Sequence, residues 1–399
     1  MPDSSRRFDS LLTKREIVVC VGSGGVGKTT TSAVIGLQAA LSGRRALVLT
    51  IDPARRLANS LGVDRLGNEP RQIPLDRFDG VDRKPGGELW AMMLDMKQSF
   101  DHLVNRYAPT AEAKHTILRN RLYQYFSTSL AGTQEYAAAE RLYELYNEGD
   151  YDLIVLDTPP TSHALDFLEA PNRLVDAINN RALQWLKPGK NRGRLGRGLM
   201  SVGVNYVMKT LSKFTGGEML SELGTFLQAF STLFGGFQER AAKVRELLTS
   251  DVATFAVVSS PTAANIDEAI YFYDKLGAEA ASVGAFVVNR VHPSWVPTTE
   301  LKRPSIQMAQ DLAGLHPAFE DLGEEDKKTF ARKLRTNAAE FQVLADLDAE
   351  AIERLRDHVP NKTPLLRVPY FSRDIHSLAG LDYVRRALFV EEQTGAFDA

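Results

Sequence analysis

The feature that most constrains this chain is the segment from Arg15 to Asp52, REIVVCVGSGGVGKTTTSAVIGLQAALSGRRALVLTID. Its apolar β-branched run, Ile17 to Val21, reads as a buried strand. The run passes directly into a glycine-rich turn, Gly22 to Gly27, and then into Lys28-Thr29. The spacing G-x-x-x-x-G-K-T is that of a phosphate-binding loop, in which backbone N–H groups converge on a polyphosphate because glycines permit the close approach. After it, Ala33, Val34, Leu37, Ala40 and Leu41 recur at helical spacing. The loop therefore opens a helix whose N-terminus adds a dipole and unsatisfied donors for an anion. This pattern assigns the nucleotide cradle to Gly22, Ser23, Gly24, Gly25, Val26 and Gly27, with Thr30 beside it. Lys28 is expected at the β/γ-phosphates, and the Thr29 hydroxyl on Mg²⁺.

Gly43 stops the helix, and Arg45 to Ile51 forms a second strand ending on Asp52-Pro53. Strand, helix and strand at this spacing make a βαβ unit, hence a parallel sheet with right-handed crossovers. Later apolar runs predict strands at Glu88–Leu94, Tyr151–Asp157, Thr254–Ser259, Val283–Asn289 and Pro364–Val368. Helical periodicity predicts helices at Met96–Tyr107, Thr110–Phe126, Gln134–Asn147, Ala263–Leu276 and Ser377–Val390. The expected fold is α/β, a doubly wound, mostly parallel P-loop NTPase sheet with an inserted helical subdomain. Residues 1–14 read as a flexible polar lead. Residues 15–399 read as one ATPase domain, interrupted by helical subdomain segments at about 96–147 and 171–250.

The second of those segments differs from its surroundings. A basic stretch with Lys187, Lys190, Arg192, Arg194 and Arg197 gives way to Leu220, Leu223, Phe226, Leu227, Phe230, Leu233, Phe234 and Phe237 at helical spacing. With Met200, Met208 and Met219, this stripe suits a groove for varied apolar partners or a self-packed core. The chain as a whole, at 399 residues and a formal net charge of −2, has no drive towards nucleic acid. It has no signal-like leader and no apolar run of about 18 residues to cross a membrane. The single cysteine, Cys20, rules out an intrachain disulfide and fits a reducing cytoplasm. The expected location is cytoplasmic, or peripheral at a membrane.

Hydrolysis requires more than a phosphate cradle: charge neutralisation, and a group that orients the attacking water. Two acids stand at strand ends, Asp52 and Asp157. Asp157 is assigned to the Mg²⁺ shell through a water, because an acid ending a buried run is costly without a metal or donors. Asp52 is assigned to the lytic water, with a turn role before Pro53 as its alternative.

Taken together, these blocks resemble the deviant Walker-type ATPases of the ArsA and guided-entry (tail-anchored protein targeting) group. That family's loop reads G-K-G-G-V-G-K-T, its first switch D-P-A-H and its second D-T-A-P-T-G-H. Here the corresponding stretches are GSGGVGKT at Gly22–Thr29, DPARRLANSL at Asp52–Leu61, and DTPPTSH at Asp157–His163. The resemblance implies ATP and Mg²⁺ as cofactors and Lys28 and Asp52 as catalytic. It implies switch roles for Asp52, Pro53, Asp157, Thr158, Pro160 and His163. Adenine contacts are implied at Asn289 in VVNR and near Pro369 in the Val368-Pro369-Tyr370 turn.

Departures from the family pattern matter as much. The family's additional loop lysine, which reaches across a dimer to the partner's nucleotide, is Ser23 here. A homodimer is therefore expected to hydrolyse slowly, or the chain pairs as a heterodimer with a lysine-bearing paralogue. Alternatively, Arg55, Arg56 or Arg290 substitutes from nearby. No C-x-x-C pair is present for an interfacial zinc, and Cys20 alone cannot form the thiolate set that captures As(III). The leading functional reading is an ATP-binding and hydrolysing switch whose nucleotide state controls a hydrophobic helical subdomain that binds a client or membrane partner. The alternatives are an ATPase subunit energising or regulating an anion or lipid-like substrate transporter, and a partition-type positioning ATPase.

Overall fold

The computed structural model of the chain describes residues 2–52, 56–78, 83–121, 123, 124, 127, 133–159, 239–294, 323–371, 375 and 377–390. The strands are β1 Ile17–Val21, β2 Arg45–Thr50, β3 Arg71–Ile73, β4 Glu88–Met93, β5 Leu153–Asp157, β6 Ala253–Ser259, β7 Val283–Val291 and β8 Leu365–Pro369. The helices are α1 Pro2–Leu12, α2 Lys28–Leu41, α3 Arg56–Ser60, α4 Met96–Tyr107, α5 Ala111–Arg119, α6 Thr133–Glu148, α7 Ala263–Ala278, α8 Glu324–His358 and α9 Leu378–Phe389. Residues 239–249 are also helical.

All eight strands join one sheet in the order β3-β4-β2-β5-β1-β6-β7-β8. Every pairing is parallel except β3 with β4. The central strands β1, β5 and β6 are buried along their whole length. Helices on both faces leave no solvent side, so these strands read as unbroken apolar runs rather than alternating ones. Strand alternation then sorts the side chains into two cores. Ile17, Val19 and Val21 pack with Phe100, Leu142, Phe272 and Ile352, on the side of α4, α6, α7 and α8. Val18 and Cys20 pack with Val34, Leu37, Leu381 and Phe8, on the side of α1, α2 and α9. This is the doubly wound sheet expected from the sequence.

Two local expectations need correction, and one strand was not expected. The lead 1–14 is not loose: residues 2–12 form α1, and Phe8 is fully buried and stacked on Phe389, with ring centroids 5.5 Å apart. Arg44 fastens the end of this helix, its guanidinium donating to the carbonyls of Leu12 and Arg15. Charged residues disguised the apolar set Phe8, Leu11 and Leu12, which lies along one helical face. Phe8→Ala should lower unfolding stability by about 3–5 kcal/mol, as large-to-small core changes of aromatics do, and urea denaturation would measure it.

The helix expected over Thr110–Phe126 ends at Arg119 instead. Asn120 adopts an extended conformation and its side chain accepts from Tyr123 N at 3.2 Å, so an Asx-type cap interrupts the periodic pattern. The edge strand β3 was not anticipated, because Arg-Gln-Ile is too short and polar to announce itself. Of the 171–250 segment, only 239–250 fall within the described residues. The apolar stripe from Met200 to Phe237 and the basic stretch before it lie outside them.

Candidate active site

The phosphate loop leaves β1 at the C-terminal edge of the sheet, where open α/β folds place their ligands. Its glycines have specific backbone work. Gly22 has φ 150° and Gly27 has φ 101°, and a Cβ on either would collide, with the Val258 carbonyl and the Asn289 amide respectively. Gly24 and Gly25 are exposed at the crown, whereas Val26 is buried as an anchor. Gly27 caps α2, so the first turn from Lys28 directs its free N–H groups at the loop's concavity. Lys28 is buried, and its Nζ donates to Gly22 O at 2.8 Å and Ser23 O at 2.7 Å. Burial holds its pKa below the ordinary lysine value, with the nearby Asp157 charge opposing that shift.

Sheet register builds the acidic side of the site. β5 lies between β1 and β2, which sets Asp157 opposite Cys20 on one side and Thr50 on the other. Asp157 Oδ2 accepts from Thr29 Oγ1 and from Thr50 Oγ1, each at 2.8 Å. The residue is fully buried, and its other oxygen, Oδ1, has no hydrogen-bond partner. Desolvation raises its carboxyl pKa from 3.8 to about 6, against the lowering effect of the two hydroxyl donors and Lys28. Thr158 turns the chain away, its Oγ1 donating to Cys20 O at 2.7 Å.

Asp52 reaches the same place by a different route. Its strand does not neighbour β1, because β5 intervenes. Beyond Thr50 the chain folds back, Asp52 N donates to Thr50 Oγ1 at 3.2 Å, and the Thr50 hydroxyl thereby links the two acids. Arg56 Nη1 lies 3.6 Å from Asp52 Oδ2. Ser23 points the other way: its hydroxyl donates to Glu268 Oε2 on α7 at 2.5 Å. Asn289 ties the far wall to the loop, its Nδ2 donating to Val26 O at 2.8 Å and its Oδ1 accepting from Arg290 N at 2.9 Å. Beyond it, Tyr370 stacks on His292 at 5.2 Å, and His292 N donates to Asp348 on α8.

Part of this set lines one cleft of about 630 Å³, whose walls include Lys28, Thr29, Thr30, Asp52, Arg56, Asn289 and Pro369. That volume lies within the usual range of small-molecule sites. The structure thus brings together the loop residues, Asp52, Asp157, Thr158, Asn289 and Pro369. Pro53, Pro160 and His163 lie outside the described residues. The sequence reading missed Thr50 and Glu268. Thr50 ends an apolar strand and looked like strand filler, and no local signal marks Glu268, which is 245 residues away from the serine it binds.

A divalent cation fits this donor set. Among the described residues no cluster of three or more His, Cys, Asp or Glu could hold a metal by itself. Mg²⁺ retains waters and needs few protein ligands, however, and a buried carboxylate oxygen without a partner beside a threonine hydroxyl is what a metal-bound water would satisfy.

A parallel sheet with a glycine loop, an α2 N-terminus, a loop lysine and a strand-end acid defines a P-loop nucleotide-binding protein. Comparison with known proteins narrows this class. The chain belongs to the family described as anion-transporting ATPase, which matches residues 15–322. An arsenical pump-driving ATPase of Aquifex aeolicus is 26% identical over 287 residues, covering 70% of this chain and 64% of that protein. ATPase GET3 of Podospora anserina is 27% identical over 288 residues, covering 71% and 76% respectively. ATPase ASNA1 homolog 1 of Paramecium tetraurelia is 32% identical over 159 residues, covering 40% of this chain and 44% of that one. The match spans less than two thirds of the length of the Aquifex protein and of a Chlorobaculum tepidum arsenical pump-driving ATPase, 64% and 61%. No helix among the described residues is long and apolar enough to cross a membrane.

Proposed function

We propose that this chain is an ATP-driven switch: it binds ATP with Mg²⁺, hydrolyses it, and transmits the nucleotide state to its helical side, where a hydrophobic client or membrane partner binds. The observation that carries this reading is the Thr29–Asp157–Thr50–Asp52 chain, which joins the loop hydroxyl and the metal-side acid to the backbone N–H of the water-side residue through hydrogen bonds. In it, Thr29 and Asp157 would hold Mg²⁺, which when bound neutralises charge on the phosphates. Lys28 exchanges its loop carbonyls for phosphate oxygens. Asp52 orients water in line with the terminal phosphate. Asn289 and Pro369 flank the adenine end. The likeness to ATPase GET3 supports the ATPase part of this reading; the client and the dimer, as a homodimer or with a lysine-bearing paralogue, rest on the resemblance of the three motifs to the guided-entry family.

The likeness to an arsenical pump-driving ATPase supports a second reading, an energising subunit for an anion transporter. Within that reading arsenite is a poor substrate. Cys20 is the sole cysteine, buried in β1, and burial pushes its thiol up to about 12, far from the thiolate that arsenic needs. Fluorescence of an apolar dye separates the switch from a static binder. Dye binding should differ severalfold between the ADP and non-hydrolysable-ATP states of the purified chain. Equal binding in both states would contradict a nucleotide-controlled apolar surface.

A further inference from the structure

Arg56, against Asp52, and Arg290 line the cleft and have no part in the scheme above, and nor does Glu268, which holds Ser23 of the loop. We propose that Arg56 is the second cation of the reaction, contacting the terminal phosphate from the same chain that supplies Lys28. The proposal rests on the ATP-hydrolysis reading and deepens it. Phosphoryl transfer spreads negative charge over the equatorial oxygens, and a cation beyond the loop lysine accelerates it strongly. The loop does not furnish one. Position 23 is a neutral serine, 8% exposed, and its hydroxyl is engaged by a carboxylate. On the α7 side, then, the loop faces negative charge.

Across the cleft the charge is positive. Arg56 begins α3, four residues after Asp52, so one short segment carries the water-side acid and a guanidinium together. Their contact is 3.6 Å, and the Arg56 side chain is 61% exposed. Such a pair is weak, and it occupies few of the five N–H donors of a guanidinium, so the fork can turn to a phosphate while staying near the acid. Among the described residues Arg290 is the other arginine lining the cleft, and Arg55 lies outside them. Arg290 stands on β7, two strand positions from β1 and four from β2, about 10 and 19 Å at ordinary strand spacing. Lys28, Thr29, Asp157 and Asp52 mark the terminal-phosphate end, on the β1–β5–β2 side, so Arg290 belongs to the opposite end with Tyr370.

The test uses the purified full chain, wild type against Arg56→Ala and Arg56→Lys. Single-turnover hydrolysis of ATP with Mg²⁺ would be followed, together with calorimetric binding of a non-hydrolysable ATP analogue and of ADP with aluminium fluoride, a mimic of the transferring phosphoryl group. Arg56→Ala should lose about 10²–10³-fold in the hydrolytic step. It should bind the ATP analogue within about threefold of wild type and lose the aluminium fluoride complex, and Arg56→Lys should recover at least about tenfold of the lost rate. Unchanged melting of Arg56→Ala, expected for so exposed a side chain, ties the loss to chemistry. Wild-type turnover and intact aluminium fluoride trapping in Arg56→Ala would overturn this proposal alone. A loss confined to analogue affinity would overturn it as well. A wild-type chain that binds but never hydrolyses ATP would overturn the reading beneath it.

Discussion

Asp157→Asn should make the protein more stable at neutral pH while removing its Mg²⁺-dependent hydrolysis. The native carboxyl titrates near 6 against 3.8 for the ordinary group, chiefly because it is fully buried. A raised acid pKa means that the native state holds its proton more tightly than the unfolded chain. Ionisation therefore costs no native stability below about pH 4, a growing amount between 4 and 6, and its full amount above 6. A shift of about two units corresponds to roughly 3 kcal/mol. Asparagine keeps an acceptor for Thr29 and Thr50, but its amide nitrogen falls where Oδ1 lacks a partner, which returns about 1–2 kcal/mol of that gain. The expected net is a stabilisation of about 1–2 kcal/mol at pH 7.5, vanishing or reversing at pH 4, in urea denaturation of the nucleotide-free protein. Hydrolysis should fall at least about 100-fold, because the amide cannot hold a metal-bound water as an ion would.

The second large effect is expected at Asp52. Its carboxylate is half-buried and lines the cleft beside Arg56. Asp52→Asn preserves shape and the backbone bond to Thr50 while removing the charge that polarises water. The hydrolytic step should slow by about 10²–10⁴-fold, the usual span for a lost general base. Affinity for ATP should stay within about threefold, because Lys28, Thr29 and the loop amides are untouched. Rapid-quench kinetics beside equilibrium binding would separate the two. A matching loss of affinity would reassign Asp52 to holding the phosphates.

How much of this site was legible depended on the range of the interaction. The loop was readable because cradle, lysine and threonine are contiguous and their glycines answer a local backbone demand at Gly22 and Gly27. Asp157 was readable because a charge ending a buried run is conspicuous. Thr50 was not, since its role exists only through the register that sets it opposite Asp157. Asp157 stands on a neighbour of β1 and Asp52 does not, a difference that no local pattern shows because strand order is a tertiary property. Ser23 was read as a cradle residue that lacks the family's lysine. Its actual partner, Glu268, comes from a helix after the insertion and gives the position a new meaning as an acid-bound, uncharged corner of the loop. The lead was misread for the opposite reason: α1 is locally amphipathic, but its burial depends on α9, the last helix described.

The most direct test of the account is single-turnover ATP hydrolysis by the purified chain, with Mg²⁺ supplied or withheld, run beside Asp52→Asn. The account predicts phosphate release by the wild type only when Mg²⁺ is present, and bound but unhydrolysed ATP in the variant. Hydrolysis that ignores Mg²⁺, or an Asp52→Asn chain that turns over at the wild-type rate, would contradict it.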